Sequence, residues 1–428
     1  MKLKVTPSTV SGIVTAPPSK SYSHRAVILG SLARGETVIE NLLFSDDTGY
    51  TINACRSLGV DIERYGQSLR IKGTSGNLLV RPGHNTIFAG NSGSTLRMLL
   101  PLAALADGKI IFDGSIRLRE RPVTEILAAL ASLGVKTSSI DKNGRLPVEV
   151  QGGRLYGGEV LTSGLAGSQH VSSLLMIAPY ARSGIKIKIT DSLRSKPYVD
   201  MTVEAMRRFG VEVERRNHDE FTVTSGQRYQ GQHYEIEGDY SSAAFFFALG
   251  AIGGKEVTVA NLNGDSLQGD RYFLELMSLM GCYVNHSPGQ ISVRREGELT
   301  GITADMGDYP DIVQPLAAVA AFARGTTNIS NISHLKGKET DRIINTAAEL
   351  GKMGITVKVT ENSMSITGGR PRGAKVDAHD DHRLAMSLAI AGLFAGDETV
   401  INGAGTVNKS YPDFFTDLAS IGAKLEPV

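Results

Sequence analysis

The feature that most limits what this chain can fold into is a glycine-led strand pattern that returns six times. It opens at Gly35, Gly108, Gly184, Gly254, Gly325 and Gly396, with successive glycines 70 to 76 residues apart. Gly35-Glu36-Thr37-Val38-Ile39-Glu40 and Gly254-Lys255-Glu256-Val257-Thr258-Val259 show its form, a turn residue followed by alternating β-branched positions. A second marker runs in phase: Gly59, Gly134, Gly210, Gly281, Gly354 and Gly422 each end a helical pattern and precede another strand-like run. Apolar helical stretches come before the first marker, over 96–106, 171–181, 242–252, 312–323 and 383–395. The chain therefore reads as six α/β units of about 70 residues.

Such units are too long to be solenoid turns. The helices over 242–252 and 312–323 are apolar nearly all round, which predicts burial inside a domain with sheets outside. At about 150 residues per domain, 428 residues make two or three domains. Two domains of three units each is the expected arrangement, although the repeat alone leaves a ring open.

The charges nearly cancel, 45 basic against 44 acidic, which argues against a general nucleic-acid or membrane-surface binder. Any cationic site must be made locally. Cys55 and Cys282 lie far apart and outside any CxxC pair, so neither a zinc site nor a disulfide framework is expected. Met1-Lys2-Leu3-Lys4-Val5 contains no apolar core of a secretory signal, and 384–395 is too short to cross a bilayer. A soluble protein in a reducing, cytoplasmic setting is expected.

The residues at the helix starts carry the functional reading. Pro17-Pro18-Ser19-Lys20-Ser21-Tyr22-Ser23-His24-Arg25 places capping hydroxyls and two cations where a helix offers unpaired N–H groups to an anion. Gly90-Asn91-Ser92-Gly93-Ser94-Thr95 and Gly164-Leu165-Ala166-Gly167-Ser168-Gln169 let backbone approach a ligand and supply donors. Gly238-Asp239-Tyr240-Ser241-Ser242 reads mainly as a cap, and Asp308-Tyr309-Pro310-Asp311 puts a carboxylate where an N-cap commonly stands. Asp380-Asp381-His382-Arg383 heads the most apolar helix, where a charge needs a partner.

Three further charged segments follow repeat strands: 117–122, 336–342 and 408–412. If helical, the second brings Lys338, Glu339 and Arg342 within reach at i,i+3 and i,i+4. Repeat symmetry would then gather Lys20, Arg25, Arg121, Lys338, Arg342, Arg383 and Lys409 in one cleft. Its field would select a small polyanion.

Together, Ser19-Lys20-Ser21 with Arg25, Gly90-Asn91-Ser92-Gly93 with Arg97, Arg121-Pro122, Ser168-Gln169 and Ser195-Lys196-Pro197-Tyr198 resemble the 5-enolpyruvylshikimate-3-phosphate synthase family. Pro310-Asp311, Lys338-Glu339-Thr340-Asp341-Arg342, Asp381-His382-Arg383 and Lys409 continue the match in order to the end of the chain. The resemblance implies an inverse α/β barrel-like fold of βαβαββ-type units in two domains, residues 1–18 with 238–428 and residues 19–237, joined by a two-stranded hinge. It implies transfer of the enolpyruvyl group from phosphoenolpyruvate to the 5-hydroxyl of shikimate 3-phosphate, on the route to chorismate and aromatic amino acids. No cofactor or metal, a monomeric state, and competition by glyphosate are implied as well.

Carried over by resemblance, Lys20, Ser21, Arg25, Gly167, Ser168, Gln169, Ser195, Tyr198, Asp311 and Lys338 would bind shikimate 3-phosphate. Lys20, Asn91, Gly93, Arg121, Gln169, Arg342, Arg383 and Lys409 would bind phosphoenolpyruvate. Asp311 and Glu339 would move protons, with Lys20 and His382 also in the catalytic set. Two departures stand out: Gly167, where many relatives carry a small hydroxyl or Ala, and His334, where some have Asn. A backbone N–H at Gly167 is the expected substitute for the missing side chain.

Two alternatives have distinct signatures. The sister enzyme that acts on UDP-N-acetylglucosamine typically has a reactive cysteine in the loop before the Arg-Pro pair, and 113–122 contains none. A non-catalytic repeat scaffold would need neither the Asp311/Glu339 pair nor a neutral overall charge.

Overall fold

Six four-stranded sheets repeat one topology, the structural form of the sequence repeat. In this computed structural model, which describes residues 1–81 and 83–428, the strand after each marker glycine takes the same place in its sheet. It pairs in parallel with an edge strand on one side and antiparallel with a strand on the other, which pairs antiparallel with the fourth. Lys109–Asp113, for example, lies between Thr86–Phe88 and Val148–Gln151, with Lys136–Ser139 outermost. Gly59 and Gly354, with φ of 87° and 86°, end helices in a conformation that side-chain-bearing residues rarely adopt.

The chain divides into two units, Met1–Pro17 with Glu237–Val428, and Pro18–Ile236. Each has three of the four-stranded sheets and three helices buried along most of their length. In Pro18–Ile236 these are Lys20–Leu32, Gly93–Leu102 and Ser168–Ile177. In the other unit they are Tyr240–Gly253, Val313–Ala320 and His382–Leu393, which pack pairwise on one another. Only Gly253 of the Tyr240–Gly253 helix is not buried, so its lack of a polar face is resolved by burial on all sides. Each unit has its own apolar core.

Gly93–Leu102 and Ser168–Ile177 begin three residues earlier than apolar periodicity alone predicts, because the small polar residues before the apolar run form the first turn; Tyr240–Gly253 and His382–Leu393 begin two and one earlier, and Val313–Ala320 one later. Ser92 accepts from Thr95 N, which makes Gly93 the first helical residue. Ser19, Asp239 and Asp381 cap three more of these helices in the same way. Two helices end sooner than expected, tightening into 3₁₀ turns at Ala103–Leu105 and Ala178–Tyr180.

Three sheets are completed by sequence-distant strands. His233–Glu235 supplies the parallel edge for Glu36–Glu40. Lys2–Thr6 sits between Thr399–Asn402 and Lys424–Pro427, while Gly12–Thr15 pairs with Val257–Ala260. Cys55 and Cys282 are buried and free, and burial pushes both thiols up to about 12. Among the described residues, no helix is long and apolar enough to cross a membrane.

Candidate active site

In the unit containing 237–428, acidic and basic side chains at three helix starts form one continuous network. Arg342 is the first residue of Arg342–Lys352, and its guanidinium is almost fully buried. Its Nε donates to Asp381 Oδ2 at 2.7 Å, while its Nη atoms pair with Glu339 at 2.9 Å and Asp311 at 3.2 Å. Burial works against its charge, but Asp381, Glu339 and Asp311 outweigh it and hold the pKa above the ordinary value. Lys409 pairs with the other oxygen of Glu339 at 2.8 Å, and Arg383 pairs with Asp311 at 3.0 Å. Arg383 Nη1 also donates to the Asp311 carbonyl.

Two expectations are corrected here. Residues 338–341 are not helical: Asp341 caps the following helix by accepting from Ile343 N and Ile344 N, so the chain turns before Arg342. Glu339 still reaches Arg342, but across the cap rather than along a helical face. Asp311 is not an N-cap. The helix starts at Val313 after Ile312, and the Asp311 carboxylate is spent on two buried guanidiniums, whose need for a counter-charge exceeds the value of a cap.

Asp381 caps His382–Leu393 through Oδ1 while holding Arg342 through Oδ2. His382 is buried as the first residue of that helix; Lys338 and His334 are half-buried in the segment before Arg342. Asp270 is buried too, and accepts a hydrogen bond from the Ser241 hydroxyl. Burial first, then the charge of Asp311, pushes its carboxyl up to about 7.

In Pro18–Ile236 the candidate residues fall into local groups. Lys20 Nζ pairs with Asp47 at 3.2 Å, and both side chains are largely buried. Arg25 is buried and donates to Thr202 Oγ1, Ser21 O and Tyr198 O at 2.7 to 2.8 Å. It thus ties the Lys20–Leu32 helix to Lys196–Arg208, fixing the backbone that carries Ser21, Ser195 and Tyr198. Gln169 accepts from Arg97 at 3.2 Å and donates to Ser94 at 2.9 Å, which orients its amide. Ser168 is buried, and Ser195 has a left-handed φ of 57°.

Gly93 stands against Arg121, and a methyl built on it would lie 2.6 Å from Arg121 Nη1. Asn91 is half-buried in the turn before Ser92. Gly167 has φ 101° and ψ 159°, a region open to glycine alone. Its N–H donates to Gly164 O within the turn.

Sequence reasoning left Asp47 and Asp270 unnoticed. Repeat symmetry could have found both. The segment after each repeat strand carries a charged or polar candidate: Asp47, Arg121, Ser195, Asp270, Glu339 and Lys409 follow the first to sixth strands in turn.

The family model for EPSP synthase (3-phosphoshikimate 1-carboxyvinyltransferase) matches residues 5–418. The chain belongs to the EPSP synthase family. A 3-phosphoshikimate 1-carboxyvinyltransferase from Methanoculleus marisnigri is 43% identical over 96% of this chain and 97% of its own length. One from Methanocella arvoryzae is 42% identical over the whole of both chains. The solved EPSP synthase of Acinetobacter baumannii superposes with a TM-score of 0.83 at 27% identity, covering both chains completely. An enolpyruvyl transferase from Streptomyces tendae, at 18% identity and a TM-score of 0.78, shares the fold of the EPSP synthase family.

Proposed function

We propose that this chain transfers the 1-carboxyvinyl group of phosphoenolpyruvate to the 5-hydroxyl of shikimate 3-phosphate, in the shikimate pathway to aromatic amino acids. The observation that carries this reading is the network in which two carboxylates, Asp311 and Glu339, are interleaved with Arg342, Arg383 and Lys409. Addition requires a proton to leave the attacking hydroxyl and another to reach the methylene carbon of phosphoenolpyruvate. Asp311 is the acceptor at the hydroxyl, and Glu339 serves the methylene.

The C–O bond forms as CH2 becomes CH3. In the second half-reaction the methyl loses a proton, the carbon–oxygen bond to phosphate breaks, and phosphate departs. Arg342, Arg383, Lys409 and Arg121 hold the carboxylate and phosphate of phosphoenolpyruvate through both steps, stabilising the charge of the tetrahedral intermediate. Asn91 and the Gly93 backbone complete that half of the site, and His382 adds an imidazole at the same helix start as Arg383.

Ser21, Arg25, Ser168, Ser195, Tyr198 and Lys338 hold shikimate 3-phosphate; Lys20 and Gln169 meet both substrates. Gly167 contributes conformation rather than a contact. The protein works as a cytoplasmic monomer without a cofactor. Incubation with both substrates in a chelator should release phosphate in equal amount to the enolpyruvyl product; absence of product would overturn the reading.

Glyphosate competes at the phosphoenolpyruvate half. Because a methyl at position 93 meets the Arg121 guanidinium, Gly93→Ala should weaken glyphosate inhibition by about tenfold or more while raising the KM for phosphoenolpyruvate less. Parallel inhibition and substrate titrations check this; an equal or smaller loss of inhibition counts against the placement of Gly93.

A further inference from the structure

Glu349 has only 1% of its side chain exposed and lies two turns along the Arg342–Lys352 helix from Arg342, on the same face. Both of its carboxylate oxygens are engaged. Lys352 Nζ lies 2.8 Å from Oε1 and 2.7 Å from Oε2 and supplies the counter-charge. Oε2 also accepts from Asp377 N at 2.9 Å, and Oε1 from His379 Nε2 at 2.7 Å. A carboxylate paired with a lysine only accepts, so the His379 ring donates from Nε2.

The segment held in this way is costly to form. His379 and Asp380 have φ of 49° and 55°, two left-handed residues in succession and neither a glycine. That conformation costs free energy at each residue, and surrounding contacts must offset it. Asp377 accepts from His379 N at 2.7 Å and from Asn402 Nδ2 at 2.6 Å, while Glu349 holds Asp377 N and the His379 ring. The next residue is Asp381, which caps His382–Leu393 and pairs with Arg342. The direction in which the chain leaves the left-handed pair therefore decides where the Asp381 carboxylate and the Arg383 guanidinium stand. One helix grips the 377–381 segment twice, through Glu349 near its start and through Arg342 at its end.

We propose that Glu349 is a positioning residue for phosphoenolpyruvate: its hold on Asp377 and His379 fixes the left-handed pair that sets Arg383 against Asp311 and Asp381 against Arg342. This rests on Arg342 and Arg383 binding that substrate, as above. Glu349 acts through the backbone of 377–381 and not by touching the substrate. With Lys352 answering its charge, the bonds to Asp377 and His379 serve as geometric restraints.

Steady-state kinetics of the full chain test this in Glu349→Ala, Glu349→Gln and His379→Asn. Glu349→Ala removes both restraints and should raise the KM for phosphoenolpyruvate by about tenfold, the scale of losing a charged hydrogen bond. The KM for shikimate 3-phosphate should change by less than about threefold, because most residues assigned to it belong to Pro18–Ile236. Glu349→Gln keeps an oxygen for Asp377 N, so its KM for phosphoenolpyruvate should return to within about threefold of the wild type. His379→Asn tolerates the left-handed conformation but is too short to keep the bond to Glu349. It loses one restraint of two and should raise the same KM by about threefold. Adding it to Glu349→Ala should cost nothing further, since that contact is already gone.

A purely structural role would lower the yield of folded enzyme, and with it the apparent kcat, while leaving the KM of the folded fraction unchanged. A wild-type KM for phosphoenolpyruvate in Glu349→Ala therefore overturns the proposal, whatever happens to kcat. Equal rises in the two KM values also overturn it, because they mean general loosening and not displaced arginines. So does a double variant in which the two single effects multiply, since His379 then acts by another route. If Glu349→Ala does not fold, His379→Asn decides alone, and a wild-type KM there sinks the idea. The underlying assignment fails separately if Arg383→Lys keeps the wild-type KM for phosphoenolpyruvate.

Discussion

Asp311→Asn should bind both substrates and lose about 10²- to 10⁴-fold in kcat, the range expected when a positioned general base is removed. The substitution is close to isosteric, and the backbone carbonyl that accepts from Arg383 is untouched. What disappears is the proton acceptor of the proposed reaction and one negative charge shared by Arg342 and Arg383. Those guanidiniums then face less competition for an anion, so the KM for phosphoenolpyruvate should stay level or fall while kcat collapses. A phosphate-release assay at saturating substrate separates the two parameters, and unchanged turnover would remove Asp311 from the role of base. Removing the Asp311 charge also relieves Asp270 of the like charge that helps keep it protonated, so Asp270 should ionise at lower pH in this variant.

Arg342→Met should cost about 3–5 kcal/mol of stability near neutral pH, the usual result of removing one partner of a buried ion pair. The Met chain fills much of the aliphatic volume, so the loss is mainly electrostatic. Asp381 has no exposed side-chain surface and would keep its two cap bonds but lose the guanidinium that neutralises it. Urea unfolding at about pH 7.5 measures the loss. Adding Asp381→Asn to Arg342→Met should recover part of the loss at neutral pH, because the double variant buries no unpaired charge. A penalty below about 1 kcal/mol at neutral pH would mean that this buried network couples no more strongly than an exposed ion pair.

Much of this architecture is legible in the sequence because it is written six times. The strand of each unit begins next to or shortly after its marker glycine, and the apolar helices are buried as their lack of a polar face requires. Legibility fails where one residue has two local uses and only distant partners decide between them. Asp311 looks like a cap until Arg342 and Arg383 arrive from 31 and 72 residues away. Arg25 looks like a ligand cation, yet much of its hydrogen-bonding capacity goes to a helix more than 170 residues distant. Gly167 is a different case: the sequence shows a missing side chain, but the φ of 101° that glycine permits appears only in the fold. Asp270 is not legible locally because the hydroxyl that donates to it, Ser241, lies 29 residues away. It comes into view by superposing the fourth unit on the others, not from its neighbours in sequence.

The strands formed by residues 2–6 and 12–15 have a consequence for synthesis on the ribosome. They pair with strands that emerge about 240 to 420 residues later, one in the middle of its sheet and one at an edge. Meanwhile Pro18–Ile236 is a continuous stretch with its own core and its own closing strand at His233–Glu235. It can therefore complete itself while residues 1–17 remain unpaired. The unit bearing Asp311 and Glu339 has to wait for the last strand of its final sheet, Lys424–Pro427, to leave the exit tunnel. A nascent chain stalled before that point would present a finished module and an exposed strand edge at Lys2–Thr6, the form in which a chaperone would meet it.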